Sequence, residues 1–154
     1  MKIYDLIKPE SIVANFHATS KKQAIEDLAK KAADITGIHE RAISDVLMER
    51  ERLGTTGVGN GIAIPHGKLA SLASLHGLFA RLKKPIDFQS IDEQPVDLIF
   101  LLLAPESAGA DHLKALARVS RLLRDKTICE KLRGTDQSEA LFVLLTQDAA
   151  NQAA

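Results

Sequence analysis

The stretch Gly54-Thr55-Thr56-Gly57-Val58-Gly59-Asn60-Gly61-Ile62-Ala63-Ile64-Pro65-His66-Gly67-Lys68 decides how this chain is read, because five of the protein's nine glycines fall within it. Glycine reaches backbone angles closed to other residues and lets the main chain come close to a ligand, so the crowding predicts a shaped loop with exposed amides. Thr56, Gly57, Gly59, Asn60, Gly61 and Gly67 are its candidate phosphate-contacting positions. Two familiar nucleotide motifs fail on spacing. A dinucleotide fingerprint starting at Gly57-x-Gly59 needs its third glycine where Ile62 stands, followed by a helix rather than Ile62-Ala63-Ile64-Pro65. A Walker loop ending at Gly67-Lys68 needs its first glycine at Ile62 and a hydroxyl where Leu69 stands. On glycine content alone, a flexible hairpin connection with no ligand role is equally acceptable.

His66 tips that balance. It follows an apolar strand, Ile62-Ala63-Ile64, and a proline that fixes its own φ and keeps residue 64 extended, so the imidazole is held. Gly67 behind it leaves room for something to approach the ring. A neutral imidazole keeps one nitrogen free as a nucleophile while the other donates the hydrogen bond that selects the tautomer, which suits phosphoryl acceptance.

Upstream, a helix over about residues 40–53 carries Ile43, Val46 and Leu47 inward and stops at Gly54. Arg50, four residues after Val46 and seven after Ile43, falls on that same stripe. An isolated arginine there would snorkel to solvent or pair with a carboxylate. Beside the loop, its planar fork of donors is also suited to two phosphate oxygens. Downstream, His112, Leu116, Val119 and Leu123 form the inward stripe of a helix over about residues 111–124. His112 sits in its first turn, where imidazolium is disfavoured and a neutral ring can donate to a phosphoryl group. His17, His39 and His76 have no such company. Two imidazoles and a carboxylate, His66, His112 and Asp111, could hold zinc, but their spacing is no metal signature. Neither a metal nor a cofactor is expected.

Further outward, Ser20 and Gln23 mark a capping box for a helix whose Ile25, Leu28, Ala32 and Ile35 recur at helical spacing until Gly37. Strand periodicity takes over from Leu75 to Leu82 and from Val96 to Leu103, with turn-rich pieces at Pro85-Ile86-Asp87 and Asp92-Glu93-Gln94-Pro95. Short helices follow over about 127–132 and 137–146, the latter capped by Asp136. Helices on both sides of a central group of strands predict an α/β domain, its sheet covered by amphipathic helices.

With 154 residues, the chain fits one domain, taken as residues 1–148 with a frayed tail over 149–154. Twenty basic residues against 20 acidic give a net charge of +0 and no field for nucleic acid. The longest apolar run, Leu98 to Ala104, is too short to cross a bilayer, so no membrane insertion is expected. A lone cysteine, Cys129, and an N-terminus without a signal peptide's apolar run make the cytoplasm the expected location.

Met48-Glu49-Arg50-Glu51, the long motif from Thr55 to Lys68, Lys84-Pro85-Ile86-Asp87-Phe88, Pro95-Val96-Asp97-Leu98 and Asp111-His112-Leu113 together resemble the IIA components of the bacterial phosphoenolpyruvate phosphotransferase system, mannitol/fructose class, and most of all its nitrogen-regulatory branch. The resemblance implies a mixed central sheet of about five strands flanked by helices. It implies that His66 accepts a phosphoryl group on Nε2 from an upstream HPr-like phosphocarrier (NPr), with Arg50 and His112 as active-site neighbours. Mannitol-type relatives often carry an acidic residue at the position of Asn60. The output would be control of target proteins, such as potassium-transport or sensor-kinase components, by a monomer or weak dimer. The alternative is a fructose- or mannitol-type component passing phosphoryl to a IIB domain during uptake.

Overall fold

An unbroken apolar run such as Leu98 to Ala104 is stable only where a strand is covered on both faces. The computed structural model, which describes residues 1–147, builds the sheet around it. The elements are β1 (Ile12–Phe16), α1 (Lys21–Thr36), α2 (Glu40–Arg52), β2 (Gly57–Gly59), β3 (Ile62–Ala63), β4 (His66–Leu69), β5 (His76–Ile86), β6 (Val96–Pro105), α3 (Ala110–Leu123), α4 (Lys126–Arg133) and α5 (Ser138–Thr146), with 3₁₀ turns at Ile3–Asp5, Pro9–Ser11 and Glu106–Ala108. The tail expected to fray, residues 149–154, lies outside the described residues.

On one side β6 pairs antiparallel with β5, and β1 lies parallel beyond it. On the other side β3 and β4 follow each other end to end, both parallel to β6, and β2 folds back antiparallel on β3. The sheet therefore has six strands, in keeping with the expected number of about five. Pro65, which lacks an amide hydrogen, separates β3 from β4 alongside β6. Its carbonyl still accepts from the Leu102 amide at 2.9 Å.

Alternate residues of β6 enter opposite cores, as the period of two requires. Ile99, Leu101 and Leu103 pack with Ile25, Leu28, Ile43 and Leu47 of α1 and α2. Leu98, Phe100 and Leu102 pack with Val119, Leu132 and Leu141 on the face that α3, α4 and α5 cover. The result is a three-layer α/β/α domain.

Ser20 caps α1 by accepting from the Gln23 amide at 3.1 Å, and Gly37 closes it at φ 77°. Two local expectations need correction. Pro85 and Ile86 belong to β5 rather than to a turn, because the register with β6 is broken between Arg81 and Ile86, where a residue without an amide hydrogen costs no ladder bond. Asp136 does not cap α5: Gln137 takes the cap position, its amide donating to Thr135 Oγ1 at 3.2 Å, while Asp136 accepts only from the Gln137 side chain. β1 went unanticipated, since its five residues carry little alternation beyond the buried Ile12 and Phe16.

The β4 register corrects the reading of Gly67. His66 pairs with Leu102 and Gly67 with Leu103, so His66 faces the α3 layer and Gly67 faces α2. A Cβ at Gly67 would overlap Val46 Cγ1 of α2. The missing side chain admits a helix, not a ligand. Gly67→Ala should lower the unfolding free energy by about 1–3 kcal/mol, the usual cost of overpacking. A Gly67→Ala/Val46→Ala protein should recover part of that loss in denaturant titrations, and the absence of any recovery would contradict the assignment.

Candidate functional site

Among the described residues β4 is bonded only to β6, so its other side is an open sheet edge. Side chains from both helical layers can meet there. His66 lies on that edge, half-buried, with Nδ1 2.8 Å from the Ile64 carbonyl oxygen. A carbonyl only accepts, so Nδ1 carries the hydrogen and Nε2 presents its lone pair. Arg50 Nε donates to that Nε2 at 3.3 Å, and Arg50 Nη1 donates to the Gly54 carbonyl at 2.8 Å. The arginine comes from the layer opposite the face His66 occupies, so it reaches around the open edge.

His112 closes the site from the α3 side. It is 7% exposed, and its ring centroid lies 5.7 Å from that of His66 at an interplanar angle of 65°. Its Nε2 is buried without a hydrogen-bond partner among the described residues. A buried, unpartnered ring nitrogen is costly and awaits a group to bond.

Burial is the main cause that holds the His66 pKa below its ordinary 6.5; the Arg50 charge pushes the same way, against the Ile64 carbonyl and the Glu51 carboxylate. His112 is lowered first by burial, then by His66 and Lys68. Both rings are therefore held in the neutral form at neutral pH.

The glycine-rich stretch plays a different part from the one its composition predicts. Asn60 and Gly61, at φ 57° and 79°, form the two-residue turn of the β2–β3 hairpin, the left-handed pair that Asn-Gly favours. The Thr56 amide donates to Glu51 Oε1 at 3.1 Å, and its hydroxyl donates to Glu51 Oε2. The Gly57 amide goes to Thr55 Oγ1 at 3.0 Å and the Asn60 amide to Asp92 Oδ2 at 2.9 Å. Gly59 packs against the Asp92 carboxylate, and the Gly61 carbonyl accepts from the amides of Asp97 and Leu98. Arg133 of α4 grips the turn, donating to the Asn60 carbonyl at 2.8 Å while paired with Asp97. The amides of Thr56, Gly57 and Asn60 are thus occupied by protein acceptors. The loop braces β3 and β4, and the positive charge at the site comes from Arg50, with Lys68 close enough to act on His112.

Glu51 and Lys21 are the residues missed from sequence. Glu51 is 8% exposed and continues the stripe Ile43, Leu47, Glu51 at four-residue spacing, a signal overlooked beside the neighbouring Arg50.

The family model for the phosphoenolpyruvate-dependent sugar phosphotransferase system, EIIA 2, matches residues 5–148. A nitrogen regulatory protein of Bradyrhizobium diazoefficiens is 58% identical over 153 residues, 99% of this chain and 100% of the relative. The nitrogen regulatory protein of Escherichia coli K12 is 39% identical over 148 residues, 95% of this chain and 90% of its own. The crystal structure of the nitrogen regulatory protein IIA-Ntr from Neisseria meningitidis superposes with a TM-score of 0.89 at 33% identity, covering 94% of this chain and 99% of that one.

The depressed pKa values carry a sign. Unfolded imidazoles take up protons first as pH falls below 6.5, so the stability contributed by the neutral rings is complete above that value and is lost as pH falls toward the folded pKa values. The melting temperature should fall between about pH 7.5 and about pH 5.5, and His112→Gln should show a smaller fall. An equal fall in the variant would contradict the burial argument.

Proposed function

Because the chain belongs to the phosphoenolpyruvate-dependent sugar phosphotransferase system EIIA 2 family, we propose that His66 Nε2 accepts a phosphoryl group from an upstream HPr-like phosphohistidine carrier and that the two states of His66 regulate target proteins. The observation that carries this reading is the hydrogen bond of His66 Nδ1 to the Ile64 carbonyl, which leaves Nε2 as the nucleophile beside Arg50 and His112. Nε2 attacks phosphorus in line as the donor's N–P bond breaks. The Nδ1 hydrogen stays on the ring, where the Ile64 carbonyl dipole meets the positive charge that develops. Arg50, now resting on Nε2, moves onto the phosphoryl oxygens, and His112 Nε2–H donates to one of them. Phosphoryl transfer asks mainly for alignment and charge stabilisation, and these groups supply both.

The regulatory output is supported by full-length similarity at 58% identity to a nitrogen regulatory protein. Phosphorylation places about two negative charges on the open edge and changes the surface a target meets. Potassium-transport and sensor-kinase components in the cytoplasm are the proposed targets.

Incubation with phosphoenolpyruvate and the upstream carriers should place an acid-labile label on the wild type and none on His66→Ala; undiminished label on that variant overturns the assignment. Arg50→Ala and His112→Ala should fold and transfer about 10²–10³-fold more slowly, the usual cost of removing one preorganised donor. Transfer from the nitrogen-branch carrier in preference to the general sugar carrier, with no passage to a fructose- or mannitol-type IIB, is the expected pattern. Efficient passage to such a IIB would instead assign the chain to sugar uptake.

A further inference from the structure

We propose that Glu51 is a positioning residue for phosphoryl transfer, holding the His66 imidazole in its reactive aim through Thr56 and Ile64. The proposal rests on the reading of His66 as the acceptor.

A carboxylate taken out of water is costly unless it is paired and hydrogen-bonded. The Glu51 side chain is 3% exposed and meets both conditions. Lys21 Nζ lies 2.7 Å from Oε1, the Thr56 amide donates to the same oxygen at 3.1 Å, and the Thr56 hydroxyl donates to Oε2. Lys21 itself sits 5.1 Å from the centroid of the Phe88 ring. With three donors on it, this carboxylate is committed to the protein, and what it fixes is Thr56.

From Thr56 the connection runs directly to the reacting ring. The Thr56 carbonyl accepts from the Ile64 amide at 3.0 Å, and the Ile64 carbonyl accepts from His66 Nδ1 at 2.8 Å. His66 Nε2 in turn accepts from Arg50 Nε at 3.3 Å. Arg50 and Glu51 are adjacent on α2, so the circuit of hydrogen bonds leaves the last turn of one helix and returns to it. Of these two neighbours, Glu51 fixes the back of the imidazole through Thr56 and Ile64, and Arg50 meets its nucleophilic face. An ion pair that merely tied α1 to α2 would have no need of Thr56. The use of both the amide and the hydroxyl of the residue that holds Ile64 is what makes Glu51 part of the site's alignment.

Glu51 also acts on the ring through space. The charged groups whose fields reach His66 or its neighbour are Arg50 and Glu51 of α2, Lys68 of β4 and the titratable His112 of α3, and Glu51 alone among them favours protonation of His66. Removal of its charge should therefore move the His66 titration downward.

The test uses Glu51→Gln and Glu51→Gln/Lys21→Met, the second avoiding an unpaired ammonium. In the unphosphorylated proteins, nitrogen-15 NMR of the ring reports the His66 titration midpoint and the exchange of its Nδ1 hydrogen; transfer from the upstream carrier reports kcat and KM. The expected result is a folded protein with a lower His66 midpoint, faster Nδ1–H exchange, kcat down about 10–100-fold and KM within about twofold, since misalignment costs rate rather than binding. Wild-type midpoint, exchange and kcat in a folded double variant would overturn the proposal and leave a structural ion pair. If neither variant folds, Thr56→Val keeps the carboxylate and removes only the hydroxyl link; faster Nδ1–H exchange with lower kcat supports the proposal, and unchanged values overturn it. Failure of the acceptor reading is seen separately, as label on His66→Ala, and does not touch the NMR result.

Discussion

The hydrogen bond from His66 Nδ1 to the Ile64 carbonyl is the constraint on which the site depends. A neutral imidazole has one hydrogen to place, and this bond places it on the nitrogen that faces the protein. The other nitrogen is then left with its lone pair, as the proposed acceptor role requires. The arrangement is local: donor and acceptor are two residues apart, with Pro65 between them. The proline ends β3 at Ala63, contributes no amide hydrogen of its own, and lets β4 begin at His66. A single break between β3 and β4 therefore positions the ring and selects its tautomer.

α2 organises the rest. Val46 fills the space that Gly67 leaves, which fixes the distance between helix and strand. One turn later Arg50 reaches Nε2 and Glu51 holds Thr56. The three contacts lie at four- and five-residue spacing on one helix, so the spacer against β4, the cation on the ring and the anchor of Thr56 share α2. His112 arrives from the opposite layer and meets them because β4 lies at an open edge. Closing that edge with another strand would leave Arg50 no path to the ring.

Much of this was legible in the sequence. The long apolar run fixed a strand covered on both faces, and helical spacing identified Arg50 and His112 as polar residues on inward stripes. These were conspicuous because they broke a pattern. What stayed hidden was relational. Glycines at 57, 61 and 67 signalled close approach, but only coordinates show that the approaching groups are Ser90, Arg133 and Val46. Amides read as free for phosphate proved to be taken by Glu51, Thr55 and Asp92, two of them acidic side chains. Glu51 escaped notice because a buried carboxylate is recognised by its partners, and Lys21 stands 30 residues earlier in the chain.

Charge balance explains why those partners matter. A phosphoryl group on the proposed acceptor would bring about two negative charges to His66, and a bare carboxylate one residue from Arg50 would compete for that guanidinium. Lys21 and Thr56 prevent this by satisfying Glu51 inside the protein, while Arg50 turns to His66 and the Gly54 carbonyl. The same logic bears on Asn60. Its φ of 57° asks for a residue that tolerates the left-handed region, and asparagine does so without adding charge. The nearby acid is Asp92, whose carboxyl is held below the usual range by the amides of Asn60 and Gln94. Asp92 is thus bound to backbone donors and Asp97 to the Arg133 guanidinium, while the cation that touches His66 Nε2 is Arg50.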